Sequence, residues 1–347
     1  MASISRIRDL GKEFPLLVAV SEIVDEAGDG QRIDNFLFRR LKGVPKTHIY
    51  RLLRSGQVRL NSKRVGASHH LQLGDMVRIP PVRTGATPAG EKKVIQSPPF
   101  PFEILFHDEA LIVLNKPAGM AVHGGSGVSL GVIEHLRMQH SEWRFLELVH
   151  RLDRETSGVL FLAKSRAALV ELHRQIRGGQ MEKRYLTLVK GKWRNPRQAV
   201  RLPLHKYVTP AGERRVMVAS AGCNDEGRAM KAHTIFILKK SWREFSLLEA
   251  ELKTGRTHQI RVHLAHLGFP IVGDDKYGDF DLNKLLSRGT SAKRLKRMFL
   301  HAAAAEVVHP VTGRHLRVEA PLTIDLSTFL EQLDLAEPRL DVPAGRQ

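Results

Sequence analysis

From Gln31 onward, apolar residues return at a helical interval. Ile33, Phe36, Leu37 and Leu41 share one face, Gly43 stops the run, and Pro45 opens a second helix whose apolar stripe is Ile49, Leu52 and Leu53. Gly56 is placed to cap that helix at its C-terminus. The period then changes. In "QVRLNSKRV", Val58 and Leu60 alternate with polar neighbours and the chain turns back around Asn61 and Ser62, as a hairpin does. "LGDMVRIP" adds a short strand after a Gly-Asp turn. Two short helices with a small sheet define a module over residues 31–80. Residues 1–30 hold no sustained period and end in "DEAGDG", which predicts an arm or a single edge strand.

Residues 81–99, "PVRTGATPAGEKKVIQSPP", have four prolines, two glycines and no apolar period, and read as a linker. Beyond it, strand-like runs recur at 110–117 (ALIVLNKP), 158–165 (GVLFLAKS), 185–191 (YLTLVKG), 233–238 (HTIFIL) and 244–252 (EFSLLEAEL). Helical patterns lie around Val132 to Met138, Ala167 to Ile176 and Thr257 to Leu267. Strands outnumber helices and do not alternate with them regularly. The expected class is therefore α+β, with a large, mainly antiparallel or mixed sheet and flanking helices over 100–330, rather than a doubly wound sheet. Residues 331–347 read as a C-terminal tail.

Charge sharpens this picture. In 347 residues, 55 Lys and Arg face 36 Asp and Glu, a formal charge of +19, so the field of the molecule draws polyanions. Nucleic acid is the leading partner and an anionic membrane surface the competitor. No apolar run approaches the roughly 18 residues of a membrane span. The excess is uneven: Arg32 to Arg83 contain twelve Lys or Arg and two acids. Arg39, Arg40, Arg51, Arg54 and Arg59 fall on or beside the two helices. A solvated helical face is the bland reading, but the scarcity of interspersed acids favours a surface that tracks phosphates. A single cysteine, Cys223, excludes an intramolecular disulfide and a multi-cysteine zinc site, and with the lack of a span or signal sequence fits a cytoplasmic protein.

Against this basic background, "HRLDRETSG" (150–158) sets one carboxylate, Asp153, between Arg151 and Arg154 just before a buried-looking strand. A neighbouring guanidinium keeps a carboxylate charged, as a nucleophile or electrostatic group requires; a turn or a structural ion pair is the alternative. Arg256 and Arg261 follow in "KTGRTHQIRVHLAHLGFPIVGDDKYG", the second on a predicted helix and able to pair with a distant acid. Tyr185 stands at the mouth of another strand, where its ring can stack on a base. "VHGGSG" (122–127), with His123, is a glycine-rich loop that lets backbone approach a ligand, and it matches neither a P-loop nor a dinucleotide fingerprint. His258, His263 and His266 raise a metal site, which no HExxH motif, cysteine pair or acidic cluster supports.

With these residues in view, "HRLDRETSG" resembles the signature of the RluA family of pseudouridine synthases. "LNKPAGMAVH", "KRYLTLV", "TGRTHQIRVHLAHLGFPIVGDDKYG" and "LHAAAAEVVHP" are similar to that family's further blocks, in the same order across residues 100–325. The 31–80 module resembles the S4 RNA-binding domain that many members carry. The resemblance implies Asp153 as the catalytic aspartate, Tyr185 as the active-site tyrosine, and Arg261 as the arginine paired with the aspartate. It implies Arg151 in the gap left by a flipped nucleotide, and Ile271 as an apolar contact to the uracil. It further implies isomerisation of uridine in 23S rRNA, free or in an assembling large subunit; that reaction gains and loses nothing overall, so no cofactor or metal is expected, and a monomer is the default. The insert "DFDLNKLLSRGTSAKRLKRM" (279–298) is basic and is expected to extend the RNA surface.

Overall fold

The computed structural model describes residues 19–25, 28–41, 43–82, 100–124, 130–219, 229–288 and 294–336. The linker from 83 to 99, the middle of the glycine-rich loop (125–129) and the end of the chain from 337 lie outside the described residues, as do residues 1–18 and 289–293. The chain divides into two compact units, residues 1–96 and 97–347.

In the first unit, β1 (Val20–Ile23), α1 (Ile33–Arg40), α2 (Lys46–Arg54), β2 (Arg59–Leu60), β3 (Lys63–Arg64) and β4 (Met76–Ile79) follow in sequence, and the sheet order is β1-β4-β2-β3. Ile33, Phe36 and Leu37 of α1 and Ile49, Leu52 and Leu53 of α2 bury against Val58, Leu60, Leu71 and Val77. Gly56, at φ +72°, ends α2: its N–H donates to Leu53 O at 3.1 Å while Gln57 N–H reaches Leu52 O at 3.0 Å, a pair of bonds that needs a left-handed residue. Asn61 (φ 47°) and Ser62 (φ 67°) make the two-residue hairpin between β2 and β3, the turn whose twist matches paired strands. Residues 20–23 are an edge strand on β4.

The second unit is built on one ten-stranded sheet. Its elements are β5 (Glu103–His107), β6 (Leu111–Lys116), α3 (Val132–Gln139), β7 (Glu147–Leu148), β8 (Ser157–Ala163), α4 (Arg166–Arg177), β9 (Glu182–Lys190) and β10 (Arg197–Val200). They continue with β11 (Leu204–Val208), β12 (Arg214–Val218), β13 (Thr234–Ser241), β14 (Phe245–Leu252), α5 (Gln259–His266), α6 (Phe280–Arg288), β15 (Leu300–Val308), β16 (His315–Glu319) and α7 (Ile324–Ala336). The strand order is β10-β13-β14-β9-β15-β8-β6-β5, with β16 on β15 and β7 on β8, while β11 and β12 form a separate hairpin. β15 and β8 run parallel and the other pairs are antiparallel, so the sheet is mixed.

The two-residue period of a strand sends alternate side chains to opposite faces. Ile112, Leu114, Leu160 and Leu162 join Ile133 and Leu136 of α3 on one face. Leu111, Val113, Val159 and Phe161 join Ala168, Leu169 and Leu172 of α4 on the other. Covered on both sides, β6 and β8 are buried throughout, and the apolar runs Leu111 to Leu114 and Val159 to Ala163 within them stand out in the sequence. α7 runs to Ala336 and buries Phe329 and Leu333 against Trp242 and Phe299, so the tail expected from 331 begins with helix: its apolar positions have a core to cover.

Candidate active site

One row of the sheet fixes the position of the site. Ala250, Tyr185, Ala302 and Gly158 stand opposite one another across β14, β9, β15 and β8. The residues around Tyr185 in this row are small, and Tyr185 itself is 7 % exposed. Gly158 allows the closest approach: at φ +108°, a Cβ here would lie 2.2 Å from Ala302 O. The glycine of "RETSG" therefore lets β8 meet β15, and the loop just before β8 carries Asp153 to the same end of the sheet as Tyr185.

That loop is clamped from beneath. Asp153 O accepts from Thr156 N–H at 3.1 Å, and Arg154 and Gly119 exchange two bonds of 2.9 Å. The Lys116 ammonium, fully buried, donates to the carbonyls of Pro117, Met120 and Arg154 at 2.7, 2.7 and 3.1 Å. Burial, together with the charge of Arg297, pushes its pKa down to about 7. Beside the loop, His150 Nε2 accepts from Phe161 N–H at 3.1 Å, which requires an unprotonated nitrogen. Burial and the neighbouring charge of Lys183 lower its pKa to about 3.

The opposite wall is the start of α5. Gln259 organises it, accepting from Arg256 N–H at 3.0 Å and donating to His233 O at 3.0 Å. Arg261, two residues further, is 4 % exposed. Its Nε and Nη2 grip Asp274 at 2.7 and 2.6 Å, Nη2 also reaches Asp275 at 3.1 Å, and Nη1 is left to face Asp153 Oδ2 at 3.3 Å. Asp274 is fully buried and also accepts from Lys276 and Tyr277 N–H at 2.8 and 3.0 Å. Burial opposes the charge on both partners, and their mutual hydrogen bonds outweigh it: Arg261 is raised above its ordinary pKa and Asp274 lowered below its own. Tyr185 is raised by burial first and by the charge of Asp153 second, so its phenol keeps its proton.

Asp153, Tyr185, Arg261, Arg151 and Arg256 converge on a single cleft of about 670 Å³, with Lys183, Arg177, Lys253 and His258 and an apolar lining of Leu252, Ile260 and Leu300. Asp153 pairs with Arg261, 108 positions on, and not with Arg154, the alternative its sequence neighbours offer, which turns to Gly119 and Glu155. Ile271 does not line the cleft; it packs in the core cluster that holds Tyr185. His123 is exposed and stands apart from the cleft, on a turn held by Glu134, which accepts from Gly124 and Gly131 N–H at 2.9 Å each. In the first unit Arg39, Arg40, Arg51 and Arg54 are exposed, with Arg40 ion-paired to Glu22 and Arg51 bonded to His48 at 2.9 Å. His263 has both ring nitrogens engaged, by Thr234 Oγ1 and Leu202 O at 3.0 Å each, and no group of three or more His, Cys, Asp or Glu is set to hold a metal ion among the described residues. No helix among them is long and apolar enough to cross a membrane.

Sequence reasoning passed over Asp274, Tyr277, Lys183 and the buried Lys116. For Asp274 a signal existed: paired acids directly after a glycine, in a basic chain, near an arginine assigned to a distant partner.

The mixed sheet that carries this cleft has counterparts among solved structures. Human RNA pseudouridylate synthase domain containing 4 superposes with a TM-score of 0.53 at 27 % identity, covering 67 % of this chain and 92 % of that one. Human RNA pseudouridylate synthase domain containing 1 shares the fold, with a TM-score of 0.52 at 23 % identity. The second unit thus has the pseudouridine synthase fold. Residues 110–266 match the RNA pseudouridylate synthase family and residues 31–77 the S4 domain. Ribosomal large subunit pseudouridine synthase C of Escherichia coli (strain K12) is 47 % identical over 327 residues, 92 % of this chain and 98 % of that protein. The Yersinia pestis protein of that name is 48 % identical over 310 residues, 89 % and 93 % of the two chains. This chain belongs to the RluA family of RNA pseudouridine synthases, enzymes of the isomerase class, and carries an S4 domain in front.

Proposed function

We propose that the chain converts specific uridines of 23S rRNA, several of them near the peptidyl transferase region, to pseudouridine, with Asp153 as the reactive carboxylate. The observation that carries this reading is the isolation of Asp153 in the basic cleft with one nitrogen of Arg261 on it, the rest of that guanidinium being tied to Asp274 and Asp275. The relatives' name supplies the large ribosomal subunit as target.

The reaction breaks the uridine N1–C1′ bond, turns the base and joins C5 to C1′. The C5 proton leaves and N1 takes one up, so nothing is gained or lost overall. A carboxylate suits this chemistry as it does in a retaining glycosidase, attacking or shielding a sugar carbon that becomes electron-deficient. The raised pKa of Tyr185 makes Asp153 the better acceptor for the C5 proton and leaves the tyrosine ring to stack on the base, a contact of about 1–3 kcal/mol. A uridine in a helix must leave the stack, at about a few kcal/mol. Arg151, exposed at the lip of the cleft, fills the vacated place. Leu252, Ile260 and Leu300 take the apolar contact with the uracil, and Ile271 backs Tyr185 from the core.

The Lys183 ammonium has no hydrogen-bond or ion-pair partner among the described residues, and with Arg177, Lys253 and Arg256 it offers cations to the phosphates around the flipped nucleotide. The S4 unit, with Arg39, Arg51 and Arg54 exposed, adds affinity and target choice. The residues named for the site all come from one chain, which supports a monomer, and an rRNA target supports a cytoplasmic location. The test is release of tritium from rRNA labelled at uracil C5. Release that depends on the enzyme supports the reaction, whereas tight binding of rRNA without release would leave an RNA-binding factor as the function.

A further inference from the structure

His258 is the residue of the cleft whose conformation demands an explanation. It sits immediately before α5 at φ 54°, in the left-handed region. The other two non-glycine residues with positive φ among the described residues, Asn61 and Ser62, make a hairpin turn that requires that geometry. His258 is the third residue of a turn closed by Gln259 N–H on Arg256 O at 3.2 Å, a position that takes a left-handed residue and that glycine or asparagine fills at less cost than histidine. The backbone there is strained, and strain of this kind persists where surrounding contacts hold it.

What the conformation achieves is an aimed ring. The imidazole Nδ1 lies 2.9 Å from Tyr277 Oη, and its Nε2 lies 3.8 Å from Asp153 Oδ2, with the side chain 15 % exposed in the cleft wall. Tyr277 Oη also accepts from the backbone N–H of Val216 at 3.0 Å. A backbone N–H can only donate, so the hydroxyl proton is free to go to His258 Nδ1. The imidazole proton is then on Nε2, the nitrogen that faces the carboxylate. The groups around the ring are Asp153, Arg261, Asp274, Lys276 and Tyr277. Arg261 lies over the Tyr277 ring at 5.2 Å, a second contact that holds the tyrosine.

Arg261 alone is a thin support for Asp153. Its contact is a single nitrogen at 3.3 Å on Oδ2, and no hydrogen bond reaches Oδ1 among the described residues. A second donor on Oδ2 would set the carboxylate plane while leaving Oδ1 toward the sugar. Catalytic contacts that are long in the free enzyme shorten once substrate closes the site. We propose that His258 is a positioning residue for Asp153: a neutral imidazole, fixed by Tyr277 with its proton on Nε2, that steadies Oδ2 beside Arg261. The inference rests on the assignment of Asp153 as the reactive carboxylate. Because Tyr277 also holds Val216, it ties the β11–β12 hairpin to the carboxylate.

The test compares single-turnover rates of His258→Phe, His258→Gln and Tyr277→Phe on an unmodified 23S rRNA transcript. Phenylalanine keeps the ring without the donor, and glutamine places an amide N–H near the Nε2 position; neither is β-branched, so the backbone strain is matched. The expected result is a rate lowered about tenfold or more in His258→Phe with RNA affinity unchanged, and recovery to within a few-fold in His258→Gln, as loss of a donor to a charged group predicts. Tyr277→Phe should lower the rate as well. In the ¹⁵N spectrum of wild type, the His258 ring, assigned by its loss in His258→Gln, should show Nδ1 unprotonated and Nε2 protonated, and Tyr277→Phe should mix the tautomers. A wild-type rate in His258→Phe, or a wild-type ring protonated on Nδ1, overturns the proposal. If His258→Phe fails to fold, the spectrum and Tyr277→Phe decide. Turnover retained in Asp153→Asn would instead remove the site assignment itself, whereas an inactive Asp153→Asn beside a fully active His258→Phe removes only the role of His258.

Discussion

Replacing Arg261 by methionine separates its structural task from the catalytic one proposed for it. In the native protein Asp274 is fully buried and receives two bonds from this guanidinium. Removing one partner of a buried pair costs about 3–5 kcal/mol, because the other charge remains uncompensated. Asp274 would keep the N–H groups of Lys276 and Tyr277, so the lower end, about 3 kcal/mol, is expected. Urea unfolding of the single variant should show this as a lower midpoint with an unchanged slope. In Arg261→Met/Asp274→Asn no buried charge is stranded and an amide oxygen still accepts from the Lys276 and Tyr277 N–H groups, so the coupling between the two sites should return most of the loss. Activity should not return, because Asp153 still lacks Nη1. A single variant that loses less than about 1 kcal/mol, or a double variant that regains turnover, refutes the reasoning. Asp274 has a lowered folded-state pKa, so its contribution is present above the ordinary carboxylate range and is lost as pH falls through the folded value.

Other outcomes follow from the same geometry. His150, with a folded pKa of about 3 against an ordinary 6.5, binds its proton more weakly in the native state, so stability present above 6.5 is lost as pH falls toward 3. Denaturant midpoints of wild type should drop across that window and those of His150→Gln should drop less; parallel curves would remove His150 as the cause. Gly158→Ala puts a Cβ against Ala302 O at positive φ, and calorimetry should show a loss of about 2–5 kcal/mol from backbone strain and overpacking together. A variant as stable as wild type would mean that the β8–β15 contact is looser than described. Arg51→Ala/Arg54→Ala should lower the slope of log affinity against log salt by about one to two without changing the single-turnover rate at saturating enzyme. An unchanged slope would place the phosphate surface elsewhere.

Much of the fold was legible where one force dominated. β6 and β8 are buried on both faces and read as apolar runs, and α1, α2 and α4 show a helical stripe because only one side meets the core. β15 was not legible as a strand. Its "LHAAAAEVV" has the composition of a weak strand, yet it lies in mid-sheet between β9 and β8, where close approach of Gly158 and room for Tyr185 favour alanine over branched residues. The short strands β10, β11 and β12 take their pairing from distant partners, which no local pattern announces. In the site, Asp153, Tyr185 and Arg261 were reached through the motifs. The bidentate hold of Asp274 on Arg261 was not, because a pair spans helix and loop by three-dimensional fit. Nor was Ile271 as a core residue, since an apolar side chain beside a site and one behind it look alike in sequence.

The role of Asp153 is tested most directly by carbodiimide-dependent primer extension across unmodified 23S rRNA and immature large-subunit particles, incubated with wild type or with Asp153→Asn. New stops with wild type and none with Asp153→Asn, at RNA affinity within a few-fold, are the predicted result. Stops of equal strength with both proteins would contradict the assignment of the reactive carboxylate, and no stops with wild type on either substrate would contradict the reaction.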